Sequence, residues 1–413
     1  MSWETVKLGD VCSKIGSGAT PRGGSTVYIE KGITFIRSQN VYNLSFNYSG
    51  LVFINDEAAT KLKGVSIKES DVLLNITGDS VARTCIVPSD VLPARVNQHV
   101  AIVRPKSEIL NPIFLNYYLA SPYMQSFMLG IAVGKGTSRN AMTKDMIAEF
   151  EVPCPPIKVQ QKIIDILKPY DSLIENNRKQ IKLLEEAAQR LYKEWFVDLH
   201  FPGYEDVEIV DGVPEGWKWT PFSEAFDYIR GRSYTSKQLV EQGGIMMANL
   251  KNIDSFGGYK RRAEKRYIGN YKDDQILHPG DIVMGVTDMT KERRLVGHVA
   301  FIPDLGEEMT FSMDLIKLIP KLVTHSYLYS AMRFGYYSRN ISQLANGVNV
   351  LHLKPDSMMN MEMLIPSTDV MNKYKLIFDA YNNRIDLLEK QIEFAKEARD
   401  RLLPKLMSGE IEV

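Results

Sequence analysis

The chain has 413 residues, 44% of them hydrophobic and 24% charged, with a formal net charge of zero. That composition excludes disordered and fibrous chains, and the length calls for two or three domains. No apolar run approaches the roughly 20 residues of a membrane span, and the opening Met1-Ser2-Trp3-Glu4 lacks a basic-then-apolar leader, so a cytoplasmic protein is expected.

Residues 1–156 read as one globular domain. Short β-branched and apolar runs at 33–36 (ITFI), 72–76 (VLLNI) and 100–103 (VAIV) are bounded by Gly, Pro, Asn and Asp and predict strands. Residues 112–128 predict a helix, which makes the domain mixed α and β. Pro153-Cys154-Pro155-Pro156 ends it, and residues 157–200 follow as a spacer-helix region nearly free of Gly and Pro. There Leu167, Ile174, Ile181, Ala188 and Trp195 fall seven residues apart, with Tyr170, Asn177, Leu184 and Leu191 in the second heptad position.

Residues 201–367 form a second globular domain, with strands predicted at 282–286 (IVMGV) and 315–319 (LIKLI), and 368–413 form a second spacer-helix region. Its two rows are Phe378, Ile385, Ile392, Arg399 and Leu406, then Tyr381, Leu388, Ala395 and Leu402. The halves repeat one plan at an offset of about 211 residues: Tyr170 matches Tyr381, Lys179-Gln180-Ile181 matches Lys390-Gln391-Ile392, and Arg190-Leu191 matches Arg401-Leu402. The rows predict an antiparallel coiled-coil pair. Its interface would hold Leu167, Ile174, Ile181, Leu184, Leu191 and Trp195 against Phe378, Ile385, Leu388, Ile392, Leu402 and Leu406. Amphipathic helices lying on a globular core would give the same periodicity. Asn177 and Arg399 are the polar exceptions, of the kind that fixes register.

Charge follows the repeat: residues 1–150 and 212–360 each carry about +3, while 151–211 and 361–413 carry about −4 and −2. Cys12, Cys85 and Cys154 are too few and too widely spaced for a disulfide framework or a structural zinc site.

Several motifs in fixed order resemble the specificity subunits of type I restriction-modification systems. They are Trp3 with Gly9-Asp10-Val11, Gly16-Ser17-Gly18 and Thr20-Pro21, then residues 33–40 (ITFIRSQN), 71–78 (DVLLNITG), 95–101 (RVNQHVA) and 134–137 (GKGT). Residues 191–196 (LYKEWF), 201–203 (FPG) and 214–217 (PEGW) are similar to that family's central spacer. In the second half RVNQHVA becomes roughly residues 311–317 (FSMDLIK), and GKGT becomes 346–349 (NGVN).

The resemblance implies two target-recognition domains separated by the helix pair, in a pseudo-two-fold internal repeat. Each domain would read one half of a bipartite double-stranded DNA target and direct adenine methylation or restriction by partners. Those partners would be two methyltransferase subunits and, in the full host-defence complex, motor-nuclease subunits. It implies a non-catalytic subunit without a cofactor, S-adenosylmethionine, ATP and magnesium belonging to the partners. The residues agree: neither Asn111-Pro112 nor Pro155-Pro156 completes a methyltransferase tetrad, and residues 130–137 (GIAVGKGT) miss the spacing of a phosphate loop. A fused modification-restriction enzyme would need a methyltransferase domain for which no segment is free. A protein-binding scaffold fits the repeat equally well, and only DNA selectivity separates it.

Reading bases in the major groove takes side chains with paired donors and acceptors: Arg for guanine, Asn or Gln for adenine, Ser or Thr more permissively. In the first half the candidates are Arg37, Ser38, Gln39, Asn40, Thr77, Arg95, Asn97 and Gln98, with Lys135 and Arg139 placed for phosphates. In the second they are Asn249, Lys251, Asn252, Thr287, Arg293, Arg294, Asn346 and Asn349. Asn, Gln and Thr of this kind also cap turns, and Asn97, Gln98 and His99 equally suit a bracing role. Lys260-Arg261-Arg262 and Lys265-Arg266 suit solvent or phosphate.

Overall fold

The hydrophobic runs picked out above are strands buried on both faces, which explains why they are almost continuously apolar instead of alternating. A computed structural model describes residues 3–133 and 141–413. It divides into two compact units, Met1–Asn176 with Gln391–Val413, and Asn177–Lys390.

In the first unit an antiparallel sheet runs in the order Cys12–Ser17, Val100–Pro105, Val72–Asn75, Thr84–Ile86. Alternate side chains of its central strands go to different cores. Val72, Leu74, Ala101 and Val103 join Phe114, Leu115 and Met128 of two helices. Leu73, Val100 and Ile102 join Ile36, Ala94 and Val96 of a second sheet. That sheet has the order Ala94–Val96, Ile33–Ile36, Val52–Ile54, Tyr28–Ile29, its first pair parallel. The helix expected over 112–128 is two helices, Pro112–Ala120 and Pro122–Ala132. Ser121 accepts from the Met124 amide and starts the second, and Pro122, which has no N–H to continue the first, suits its opening turn.

The second unit repeats this scheme. Its sheet runs Phe226–Arg230, Leu315–Pro320, Ile282–Gly285, Val299–Phe301. Ile282, Met284, Ile316 and Leu318 face one core, and Val283, Leu315 and Ala300 face another that contains Ala248 and Phe311. Ile245–Ala248 runs parallel to Met309–Phe311, as Ile33–Ile36 runs beside Ala94–Val96. These pairings correct the alignment of the halves by one residue. Val96 opposes Ile36 and Phe311 opposes Ala248, so Arg95 corresponds to buried Thr310, and Gln98 and His99 to Met313 and Asp314.

The long helices are Ile157–Phe196 and Thr368–Ser408. Inside the first unit, Leu167 shares a core with Leu402, Leu403 and Leu406, while Asp171 meets Arg399 at 2.6 Å, so the two segments run antiparallel there. Inside the second, Trp195 packs on Tyr374 with ring centroids 5.8 Å apart, and Arg384 reaches Gln180 at 3.4 Å, again antiparallel. Ile174, Leu388 and Ile392 are buried, whereas Ile181, Leu184, Leu191 and Ile385 are half-buried. Among the described residues no helix is long and apolar enough to cross a membrane.

Candidate nucleic-acid interface

Both units build one edge of the candidate surface from the same turn. After Ile33–Ile36 the chain makes a single 3-10 turn, Ser38–Asn40, and after Ile245–Ala248 it makes another, Leu250–Asn252. Asn40 is fully buried; its Oδ1 accepts from the Arg37 amide at 3.0 Å and its Nδ2 donates to the Asn47 carbonyl at 2.9 Å. Asn252 repeats the arrangement, accepting from the Asn249 amide at 3.0 Å and donating to the Lys260 carbonyl at 3.0 Å. The buried asparagine replaces backbone partners that a tight turn leaves unsatisfied. Gln39 and Lys251, one residue earlier, are exposed.

A second shared device follows the central strand. The Ile76 amide donates to the His99 carbonyl at 3.0 Å, and the Val286 amide to the Asp314 carbonyl at 2.8 Å. This sets Thr77 beside His99, with Oγ1 2.6 Å from Nδ1, and lets the Thr287 hydroxyl donate to Asp314 Oδ1 at 3.1 Å. Behind each pair lies a glycine. A Cβ on Gly18 would stand 2.2 Å from the Val96 and Asn97 carbonyl oxygens, and one on Gly231 would stand 2.0 Å from that of Ser312.

In the first unit Ser38, Gln39 and Thr77 line one concavity with Tyr42, Asp79, Ser80, Arg83 and His99. The Arg83 guanidinium lies over the Tyr42 ring, 4.5 Å from its centroid, and Tyr42 remains 41% exposed. Tyr42, Arg83 and His99 are absent from the sequence-derived set. The signal for them was their spacing from the turn and from the threonine, not residue type alone.

Five assignments need correction, Asn40, Asn97, Asn249, Asn252 and Thr287, the last only 7% exposed with its hydroxyl spent on Asp314. Asn40, Asn249 and Asn252 are at most 3% exposed, their amides consumed inside the fold, so none presents an edge to a base. Asn97 is 8% exposed, its Oδ1 accepting from the His99 amide. Arg95 donates from Nε to the Ala59 carbonyl at 3.1 Å and from Nη1 to that of Ala94 at 3.0 Å, bracing the helix Asp56–Lys61. Arg37 is half-buried, Nη2 donating to the Gly50 carbonyl at 2.7 Å. Gln98 is exposed beside His99, and Lys135 and Arg139 lie outside the described residues.

In the second unit Thr287–Asp288 pairs with Leu351–His352, which brings the loop after Asp288 beside residues 346–349. Asn346 and Asn349 are exposed; the Asn346 Nδ2 donates to the Leu344 carbonyl at 3.0 Å. Arg293 donates to the Ser342 carbonyl, and exposed Arg294 lies 3.7 Å from Glu292. Asp288 organises this loop: it is fully buried and accepts from the amides of Thr290, Leu295 and Val296 and from the Thr290 hydroxyl. Burial opposes its ionisation, but these donors outweigh it and hold the carboxyl below the usual aspartate range. Of the basic clusters, Arg261 is paired with Asp386 and Arg266 with Glu307.

The family model for the type I restriction modification DNA specificity domain matches residues 1–186. The MjaIX specificity subunit of Methanocaldococcus jannaschii, a type I restriction enzyme subunit, is 24% identical over 432 aligned positions that cover 100% of this chain and 94% of the relative. The MjaVIII specificity subunit of the same organism is 22% identical over 100% of this chain and 93% of the relative. The crystal structure of the type I restriction-modification system S subunit from M. genitalium superposes with a TM-score of 0.60 at 13% identity, covering 98% of this chain and 96% of that one. Residues 1–186 thus match the type I restriction modification DNA specificity domain, and the chain is similar, from end to end, to type I restriction enzyme specificity subunits.

Proposed function

We propose that the chain is the DNA-specificity subunit of a type I restriction-modification complex, each recognition domain reading one half of a split target. One observation carries this reading. The same buried frame occurs twice, with Asn40 and Asn252 fixing a turn and Thr77 and Thr287 fixing a neighbouring side chain. At the exposed positions beside that frame the two copies differ, Gln39 against Lys251 and Gln98 against Met313. A constant frame carrying different exposed side chains, polar in the first unit and cationic or apolar in the second, suits the reading of two different half-sites. The mildly basic balance of residues 1–150 and 212–360 suits contact with the phosphate backbone.

In this reading the long helices pair as an antiparallel coiled-coil spacer. Two methyltransferase subunits, and motor-nuclease subunits in the restriction complex, supply the chemistry together with S-adenosylmethionine, ATP and magnesium. The subunit itself catalyses nothing. The test is genome-wide mapping of methyl-adenine in cells carrying a cognate type I methyltransferase, with and without this chain. A split motif that vanishes with the chain is the expected result. Methylation that is unsplit, or indifferent to the chain, would favour a protein-binding scaffold instead.

A further inference from the structure

Residues 99 and 314 occupy the same place in the two units, each following an equivalent backbone hydrogen bond and each held by an equivalent threonine. Both are half-buried, so each is fixed by the fold and still reachable from outside. Their chemistry is opposite. Asp314 uses Oδ1 on Thr287, and among the described residues its Oδ2 receives only a long 3.5 Å contact from the Ser312 hydroxyl, so it keeps acceptor capacity. A carboxylate accepts and does not donate, so in the major groove it fits the exocyclic amines, cytosine N4 or adenine N6, and is repelled by guanine N7 and O6 and thymine O4. His99 has Nδ1 committed to Thr77 and lines the concavity with the rest of its ring, where an imidazole N–H can meet the acceptor edges that a carboxylate cannot.

We propose that His99 and Asp314, locked in matching positions by Thr77 and Thr287, are specificity-determining residues that make the two half-sites differ at one base pair each. Asp314 selects a base bearing an exocyclic amine, and His99 selects one presenting an acceptor. The proposal rests on the DNA-reading function above. It adds two residues, one of which residue type alone assigned to bracing and the other of which it never raised.

The test assembles the full-length chain with its cognate methyltransferase and selects bound duplexes from a randomised pool, for the natural chain and for His99→Asp and Asp314→Asn. Asp314→Asn is isosteric and keeps an acceptor for Thr287, which guards against loss of the fold. His99→Asp should invert or replace one base pair of one half-site, with the preferred base changing by about tenfold or more. Asp314→Asn should relax one base pair of the other half, because an amide both donates and accepts. An unchanged motif for either variant, both variants altering the same half, or a folded variant that loses all selectivity would each overturn the assignment. If the natural chain itself enriches no split motif, it is the DNA-reading function that fails.

Discussion

Gly18→Ala offers a direct test of the frame that presents the recognition side chains. The added methyl group would lie 2.2 Å from two backbone carbonyl oxygens, those of Val96 and Asn97. Real Cβ atoms essentially never come closer than 3.0 Å, so residues 96–99 must retreat by about 1 Å, and being backbone they cannot swing aside. A shift of that size takes the 2.6 Å contact between Thr77 and His99 to the edge of hydrogen-bonding range and moves Gln98 with it. Overpacking of this kind costs about 1–3 kcal/mol, or about 5- to 150-fold in the population of the correctly placed loop. The assay is binding of the methyltransferase-assembled chain to three duplexes: the intact split target, one with the first half scrambled, and one with the second half scrambled. Discrimination at the half read by the first unit should fall by that factor while the other half is unaffected, and Gly231→Ala, with its 2.0 Å clash on Ser312, should do the reverse. Equal loss at both halves, or discrimination kept within twofold, would refute the reasoning.

Arg399→Met should loosen the helical part of the first unit, because Asp171 would keep its 2.5 Å bond from Tyr117 but lose the 2.6 Å bond from a guanidinium only 12% exposed. A loss of about 2 kcal/mol means roughly 30-fold faster hydrogen exchange around residues 167–174, and a change below threefold would rule it out. Asp288 sets an acid limit on the loop it organises. Its folded-state pKa lies below the unfolded one, so its contribution is complete above about pH 4 and disappears as pH falls through the folded value. Protease nicking of residues 289–296 should therefore rise steeply below about pH 4 in the natural chain. In Asp288→Asn the loop should open about tenfold more at neutral pH, with no further acid step; an acid step of the same size in the variant would contradict this.

Much of the strand framework was legible in the sequence. The runs at 33–36, 72–76, 100–103, 282–286 and 315–319 became strands to within two residues, because segments apolar on both faces have few alternatives in a mixed fold. The helix over 112–128 was divided by Ser121-Pro122, a cap followed by a residue that cannot continue the preceding turn. The recognition surface was less legible. Asn40, Asn249 and Asn252 drew attention by residue type, yet type does not reveal whether an amide is already spent on a backbone carbonyl. Arg95 was paired with the wrong counterpart because only strand register, not motif similarity, aligns it with Thr310.

The buried asparagine at the end of each turn gives these domains room to diversify. Asn40 and Asn252 hold their loops through groups that never reach solvent, so the exposed neighbours carry little of the load: Gln39 adds one long 3.4 Å bond to the Gly50 carbonyl, and Lys251 is exposed. Substitutions at such positions usually shift stability by less than about 0.5 kcal/mol. A duplicated domain can therefore explore new side chains at the turn without first acquiring compensating mutations in its core. A library randomised at residues 39 and 251 should consist mainly of folded members that differ in what they bind.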